Sequence, residues 1–597
     1  MPEGEGKTPP QSSEKPPQVK ESGLGAIVTK LRKRRIIETL AAFIGGGWLI
    51  IEFVDRILVA HYHFPDKTID ITFITLLCAL ICTLLWRWFS GREEPRKFKL
   101  ELVLIPLVLL ITALLDINLI LHRQGPESET IPASKWKNSI AVLPFVDMSP
   151  QKDQEWFCDG ITDEIIGQLS NITELKVPAR TSVFFFKGKE QDIRDIGKRL
   201  GVATVLEGSI QKVESRLRAR VQLINIADGF HLWSAVFDRE MKDVFAIQDE
   251  IALAVADKLK ITLLAGEKAK LSKRRTENIE AYELYLRALQ GGAWTNEAIE
   301  NNIANLKKSI QLDPEYAPSH AALAGEYCGL ATWGLDSPST VFPRAKAEAL
   351  KAIELDDSLA GAHTALSTVK WRFDWDFPGA EGEIRRAIGL NSNNSGVHWA
   401  YSTLLAITGR LDEAIVEALK AHELDPVSFE SERDLGWVFF LAGRYDESIA
   451  RFRIALGMDQ NRPLELALLA GAYARRGMDR DAASCSAKAR EFVAAGKEQM
   501  LDAYLAEPFC RIGRQSEVLR WIETWERVST QGHVESLLMA LMNAPTGNRE
   551  KAFAWLERAF EERSVNIPFL KVHPLLDTLH SDPRFQNLVR RVGFPDH

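Results

Sequence analysis

Five glycines in the second half of the chain fall on a nearly fixed spacing. Gly409, Gly443 and Gly477 lie 34 residues apart, Gly513 follows after 36 and Gly547 after another 34. A repeat of that length is too short for a domain and too long for one helix. It implies two helices and a turn, with glycine closing the first helix in a left-handed conformation that other residues resist. The segments that follow the turns are alike: GRLDEAIVEALKAHELDP from Gly409, GRYDESIARFRIALGMDQ from Gly443 and GNREKAFAWLERAF from Gly547. Asp425-Pro426 and Asp459 share one register, and Asp313-Pro314, Asp356 and Asn391 carry it upstream. A single helix hairpin cannot bury both of its faces, so the units must stack. Stacking gives a superhelix whose inner wall is built by the first helix of each unit.

Small residues occupy the places where paired helices approach, at Ala414, Ala421, Ser448 and Ala455, and Leu411 and Tyr445 fill the apolar place after the turn. With proline at the exit, this pattern resembles the tetratricopeptide repeat family, and about eight repeats fit residues 278–565. Two departures stand out. Asp313 and Asp356 are 43 apart, with an insertion around Gly334 to Pro343, and the last two repeats lack the Asp-Pro exit. Residues 566–597 end in a segment, Val572 to Phe594, whose Asp582-Pro583 opens one more amphipathic helix, a C-terminal cap. The resemblance puts Trp399, Thr403, Arg433, Trp437 and Phe440 on the inner wall as a candidate partner-binding groove. Aromatic and Arg side chains suit a binding hot spot. The competing reading makes Trp399 and Trp437 packing residues between neighbouring repeats.

Ahead of the repeats, residues 138–265 alternate strand and helix patterns. Ser139 to Phe145 is an apolar run of strand length, and from Ile161 apolar residues recur at helical spacing. Leu175 to Phe186 is expected to be extended, Ile193 to Gly201 a helix stopped by glycine, and Val202 to Val213 a strand. Arg216 to Ile226 alternates polar and apolar and pairs across Ala227-Asp228-Gly229 with His231 to Phe237. A helix from Phe245 then covers the sheet. The ordered phrases FCDGITDEIIGQLS, GVATVLEGSIQKV, QLINIADGFHLWSAVFDR and FAIQDEIA resemble the TolB amino-terminal-like (FlgO-like) domain. That resemblance implies a non-catalytic interaction module found beside tetratricopeptide repeats, behind membrane spans, DNA-binding domains or nucleotide cyclase domains.

Residues 1–29 are polar and rich in Pro and Gly, the composition of a disordered tail. Residues 30–122 contain three apolar stretches, about 36–60, 69–88 and 100–121, which hydropathy predicts as membrane helices, the first interrupted by Glu38, Glu52, Asp55 and Arg56. Residues 123–137 read as a linker. Basic residues cluster before the first stretch and between the second and third, which predicts a cytoplasmic amino terminus. Three crossings in a bacterial inner membrane would then place the later domains in the periplasm. The expected architecture is therefore multidomain: three transmembrane α-helices, a small α/β TolB-like domain and an all-α tetratricopeptide superhelix.

Net charge of -7 and a pI near 6.0 leave no concentrated basic face for phosphates, so nucleic acid is not an expected partner. The six cysteines show no metal-ligand spacing, and the chain contains no GxxxxGK[ST], HExxH or GxSxG motif. Asp159, Asp163 and Glu164 sit near a helix start, where carboxylates favour the dipole, and His231 has no nucleophile nearby in sequence. No catalytic, cofactor or metal residues and no small-molecule substrate are expected. The expected partners are proteins or peptides, together with the lipid bilayer, and the expected function is a membrane-anchored interaction scaffold. The alternative is a sensory or regulatory subunit acting in trans on a signalling enzyme such as a nucleotide cyclase.

Overall fold

A computed structural model describes residues 138–264, 266–268, 276–290, 296–332, 334–530, 532 and 534–595, with positions 48, 50, 52, 76 and 79–84. The chain divides into two compact units, residues 1–129 and 130–597.

In the first unit the expectation of three transmembrane helices is corrected. Among the described residues no helix is long and apolar enough to cross a membrane. A span needs about 20 apolar residues in one unbroken helix. The described helical positions within 36–60 and 69–88 are Trp48, Ile50, Glu52, Leu76 and 79–84, and the stretch 100–121 lies outside the described residues. Hydropathy counts apolar side chains, but it does not show that one helix carries them.

The second unit begins with the α/β domain. β1 (Ile140–Val142) and β2 (Val146–Asp147) both run parallel to β3 (Thr204–Val213), and β4 (Arg216–Asn225) and β5 (His231–Glu240) continue antiparallel, in the order β1-β3-β4-β5. Pro144 separates β1 from β2 because it has no N–H to give the ladder. Along β4, Leu217, Ala219, Val221 and Leu223 point into the core and Arg216, Arg218 and Arg220 point out. Helices α1 (Glu155–Ser170), α2 (Arg180–Phe184), α3 (Ile193–Leu200) and α4 (Val244–Lys258) complete the domain. The expectation of extended chain over Leu175 to Phe186 fails. Only an isolated bridge from Ser139 to Lys176 forms before α2. Pro178 interrupts donation to the ladder, and the Ala179 N–H is drawn away to the carbonyl of Leu424.

Eight helix hairpins follow: α5 (Ile279–Ala288) with α6 (Asn296–Leu312), α7 (Ala317–Thr332) with α8 (Pro338–Leu355), α9 (Ala360–Val369) with α10 (Phe377–Leu390), and α11 (Ser395–Thr408) with α12 (Leu411–Leu424). The array continues as α13 (Phe429–Leu441) with α14 (Tyr445–Met458), α15 (Pro463–Arg475) with α16 (Asp479–Phe492), α17 (Gln499–Arg511) with α18 (Gln515–Ser529), and α19 (Ser536–Asn543) with α20 (Arg549–Glu561). Each periodic glycine is left-handed, with φ from 71° to 93°, and ends a first helix. The insertion near Gly334 lengthens α8 to 18 residues, with Pro343 inside it. A final helix, α21 (Pro583–Val592), starts where the Asp582 side chain accepts from the Arg584 N–H.

The α/β domain and the repeats are not beads on a string. Tyr282 and Leu286 of α5, with Tyr316 and Val427, belong to the same apolar core as the sheet. Two repeat exits grip the domain. The Asn393 amide donates to the carbonyls of Ser170, Ile172 and Leu175, and Asp425 accepts from Thr181 at 2.6 Å and Ser182 at 2.5 Å.

Candidate functional site

The inner wall is laid down by the first helices, which pack side by side along the array. Local chemistry fixes where two of them begin. The Asn394 side chain accepts from the Val397 N–H to start α11, and Ser428 accepts from the Ser431 N–H to start α13. The five residues expected to line a groove are thereby set on two adjacent helices, but they meet different surroundings.

Trp399 is half-buried and lines a cleft of about 110 Å³ between α11, α12 and α13, with Ala418, Asp425, Glu430, Ser431 and Asp434 around it. Thr403, one turn on, is buried, and its hydroxyl donates to the Trp399 carbonyl. Arg433 spends its guanidinium on neighbouring Asp434 at 2.8 Å. Burial pushes the Asp434 carboxyl up to about 6 although Arg433 draws it down, and burial likewise raises Asp425 against its hydroxyl partners. The cleft thus offers an indole among carboxylates.

Trp437 and Phe440 face the chain itself. Trp437 stacks on Phe440 at 5.6 Å and meets Tyr504 at 5.7 Å, Phe569 at 6.3 Å and His573 at 5.8 Å. Phe440 is fully buried. The segment carrying Phe569 and His573 is pinned from several helices: Arg372 donates to the Val565 carbonyl, Arg475 donates to the Pro574 carbonyl and pairs with Asp577, and Lys571 reaches the Thr408 carbonyl at the end of α11. Ala467 and Ala474 of α15 and Ala503 of α17 are fully buried in the same apolar core as this segment. Ile567, Leu570, Leu576 and Leu579 have no exposed surface. This part of the wall is sealed by the chain's own C-terminal segment.

Sequence reasoning missed a set of buried polar links. His320, His363 and His398 occupy one place in three successive first helices. Each turns Nδ1 to a carboxylate of the following helix (Glu348, Glu383 and Glu417, at 2.5, 2.8 and 2.6 Å) and Nε2 to the carbonyl of Pro314, Asp357 or Ser392 in the preceding exit. The signal was present in the sequence: each histidine follows Asp313, Asp356 or Asn391 by seven residues.

Hairpins of this length, each ended by a left-handed glycine and stacked through their first helices, define a helical repeat protein of the tetratricopeptide type. Comparison with known proteins adds two partial similarities. Residues 136–254 match the family described as HilA/YgeH-like transcriptional regulator, second domain. A curated relative, putative adenylate cyclase 3 of Rhizobium meliloti (strain 1021), is 40% identical over 199 residues, 33% of this chain. The chain spans about a third, 34%, of that relative's length. Among solved structures, Pseudomonas aeruginosa PilF is 20% identical with a TM-score of 0.28 over 35% of this chain and 93% of its own. YrrB, titled a TPR protein with an unusual peptide-binding site, is 20% identical with a TM-score of 0.25 over 33% and 95%. A tetratricopeptide repeat protein of Parabacteroides merdae ATCC 43184 is 13% identical with a TM-score of 0.33 over 45% and 100%. At such scores the repeat assignment rests on the hairpins themselves.

Proposed function

We propose that this chain is a non-catalytic scaffold that holds a protein or peptide partner on the open part of its inner wall, with the α/β domain and the repeats acting as one body. One observation carries the reading: the cleft beside Trp399 is the stretch of the expected groove that the chain's own C-terminal segment leaves free, and it presents an aromatic face with hydrogen-bonding groups. We read the α/β domain as a TolB-like interaction module, fastened to the repeats through Asn393 and Asp425, the second of which also lines the cleft.

A photo-crosslinking amino acid at Gly396, which is exposed on the rim, tests this against the same group at Val416, which is 52% exposed on α12. The expected result is a partner captured from position 396 and lost when Trp399→Ala is added. Equal capture from both positions, or capture indifferent to Trp399, contradicts the scaffold reading.

A second reading draws on the relative named a putative adenylate cyclase: a regulatory subunit that works in trans on such an enzyme. Its test is addition of the purified chain to a nucleotide cyclase from the same cell. A change in the rate of cyclic nucleotide formation that Trp399→Ala abolishes favours it, and an unchanged rate removes it.

A further inference from the structure

β5 is an edge of the sheet. The strand order ends on it, and pairing with β4 uses only one side of His231–Glu240. Edge strands in stable monomers are usually guarded by charge, proline or bulges. Here the register shifts opposite Leu223 and Ile224, around Leu232, and from there Trp233, Ser234, Ala235, Val236 and Phe237 run without a charge or a proline. Val236, in the regular part of the strand, is 62% exposed.

We propose that β5 pairs antiparallel with β5 of a second copy of this chain, about a twofold axis at Val236, so that two sheets become one. The sequence of the strand chooses both occupant and register. About that axis Val236 meets Val236, small Ala235 lies opposite bulky Phe237, the Ser234 hydroxyl lies opposite Asp238, and Trp233 lies opposite Arg239. The last is a cation over an indole, and no like charges oppose. Moving the axis to Ala235 sets His231 against Arg239 and Leu232 against Asp238. Moving it to Phe237 sets Val236 against Asp238 and Ser234 against Glu240. Asp238 is already held by Arg216 and Arg218 of its own β4, at 2.7 and 2.6 Å, which keeps its charge balanced beside the new strand. Seven residues a side span only about 23 Å, so the pairing is concentration-dependent.

The test uses the full chain with Val236→Cys, Ser234→Cys and Val236→Lys. Two Cys at 236 face each other with Cβ atoms about 5 Å apart and join as an intermolecular disulfide, whereas two Cys at 234 stand about 13 Å apart and do not. Sedimentation of the unaltered chain shows a monomer–dimer equilibrium, and V236K, with two ammonium groups on the axis and an unchanged melting temperature, stays monomeric. A monomer at every concentration, including one in which the edge serves a foreign peptide, overturns the proposal. So does a dimer that persists in V236K, or crosslinking at position 234 as fast as at 236.

Discussion

Asp425 accepts a hydrogen bond of 2.5 Å from Ser182, across 243 residues of sequence. The same aspartate, with Pro426, marks the end of a repeat. One residue thus closes a hairpin and fastens the α/β domain to it, and Asn393 does the equivalent one repeat earlier with three buried carbonyls. Removing either partner leaves buried polar groups unpaired, which costs about 1–3 kcal/mol. Asp425→Ala and Asn393→Ala should each lower the unfolding free energy by that amount in a urea titration, and should speed hydrogen exchange at Thr181 to Phe184 before it changes in α15. Unaltered exchange there would show that the exits do not hold the domain.

The glycine period makes a prediction of opposite sign at two sites. Gly443 has φ of 71°, so Gly443→Ala forces a side chain into the left-handed region and should destabilise by about 1 kcal/mol. Gly457 lies inside α14 with nothing near its added Cβ, so Gly457→Ala should stabilise by up to about 1 kcal/mol. Thermal unfolding of the two variants checks both signs at once.

His573 couples the sealed part of the wall to pH. The Leu575 N–H donates to its Nδ1, which must therefore be unprotonated, and burial, aided by Arg475, pushes the ring down to about 3. The folded pKa is lower than the ordinary value of 6.5, so the unfolded segment binds the proton more readily. The stability His573 contributes is present above about 6.5 and is lost as pH falls toward 3. Tryptophan fluorescence should report loosening around Trp437 over that acid range, and His573→Gln should flatten the response. Retention of the full response in that variant would assign it to other groups.

Much of the repeat array was legible because its signals are local. A left-handed glycine, a small residue between paired helices and a proline at the exit each act within one hairpin. Strands β3 to β5 were legible for the same reason, since alternation along Arg216–Asn225 and the Asp228-Gly229 turn need no distant partner. What escaped was non-local. The fate of Leu175 to Phe186 depends on Leu424, and the covering of Trp437 depends on Phe569 and His573, more than a hundred residues away. The repeat register sets Trp399, Thr403, Arg433, Trp437 and Phe440 on the first helices α11 and α13, but nothing in that register says that residues 565–579 pack against Trp437. For the apolar stretches before residue 122, hydropathy predicted spanning helices, and among the described residues no helix is long and apolar enough to cross a membrane.

The central claim is that the inner wall is divided, sealed around Trp437 by the chain's own C-terminal segment and open beside Trp399. Hydrogen exchange of the full chain, resolved to residues 567–573, measures it most directly. The Leu570 and His573 amides donate to the carbonyls of Ile567 and Phe569, and all four of these residues are buried, so the two amides should exchange as slowly as the amides of α13. Exchange at the rate of an unstructured terminus would contradict the claim and return the whole wall to solvent.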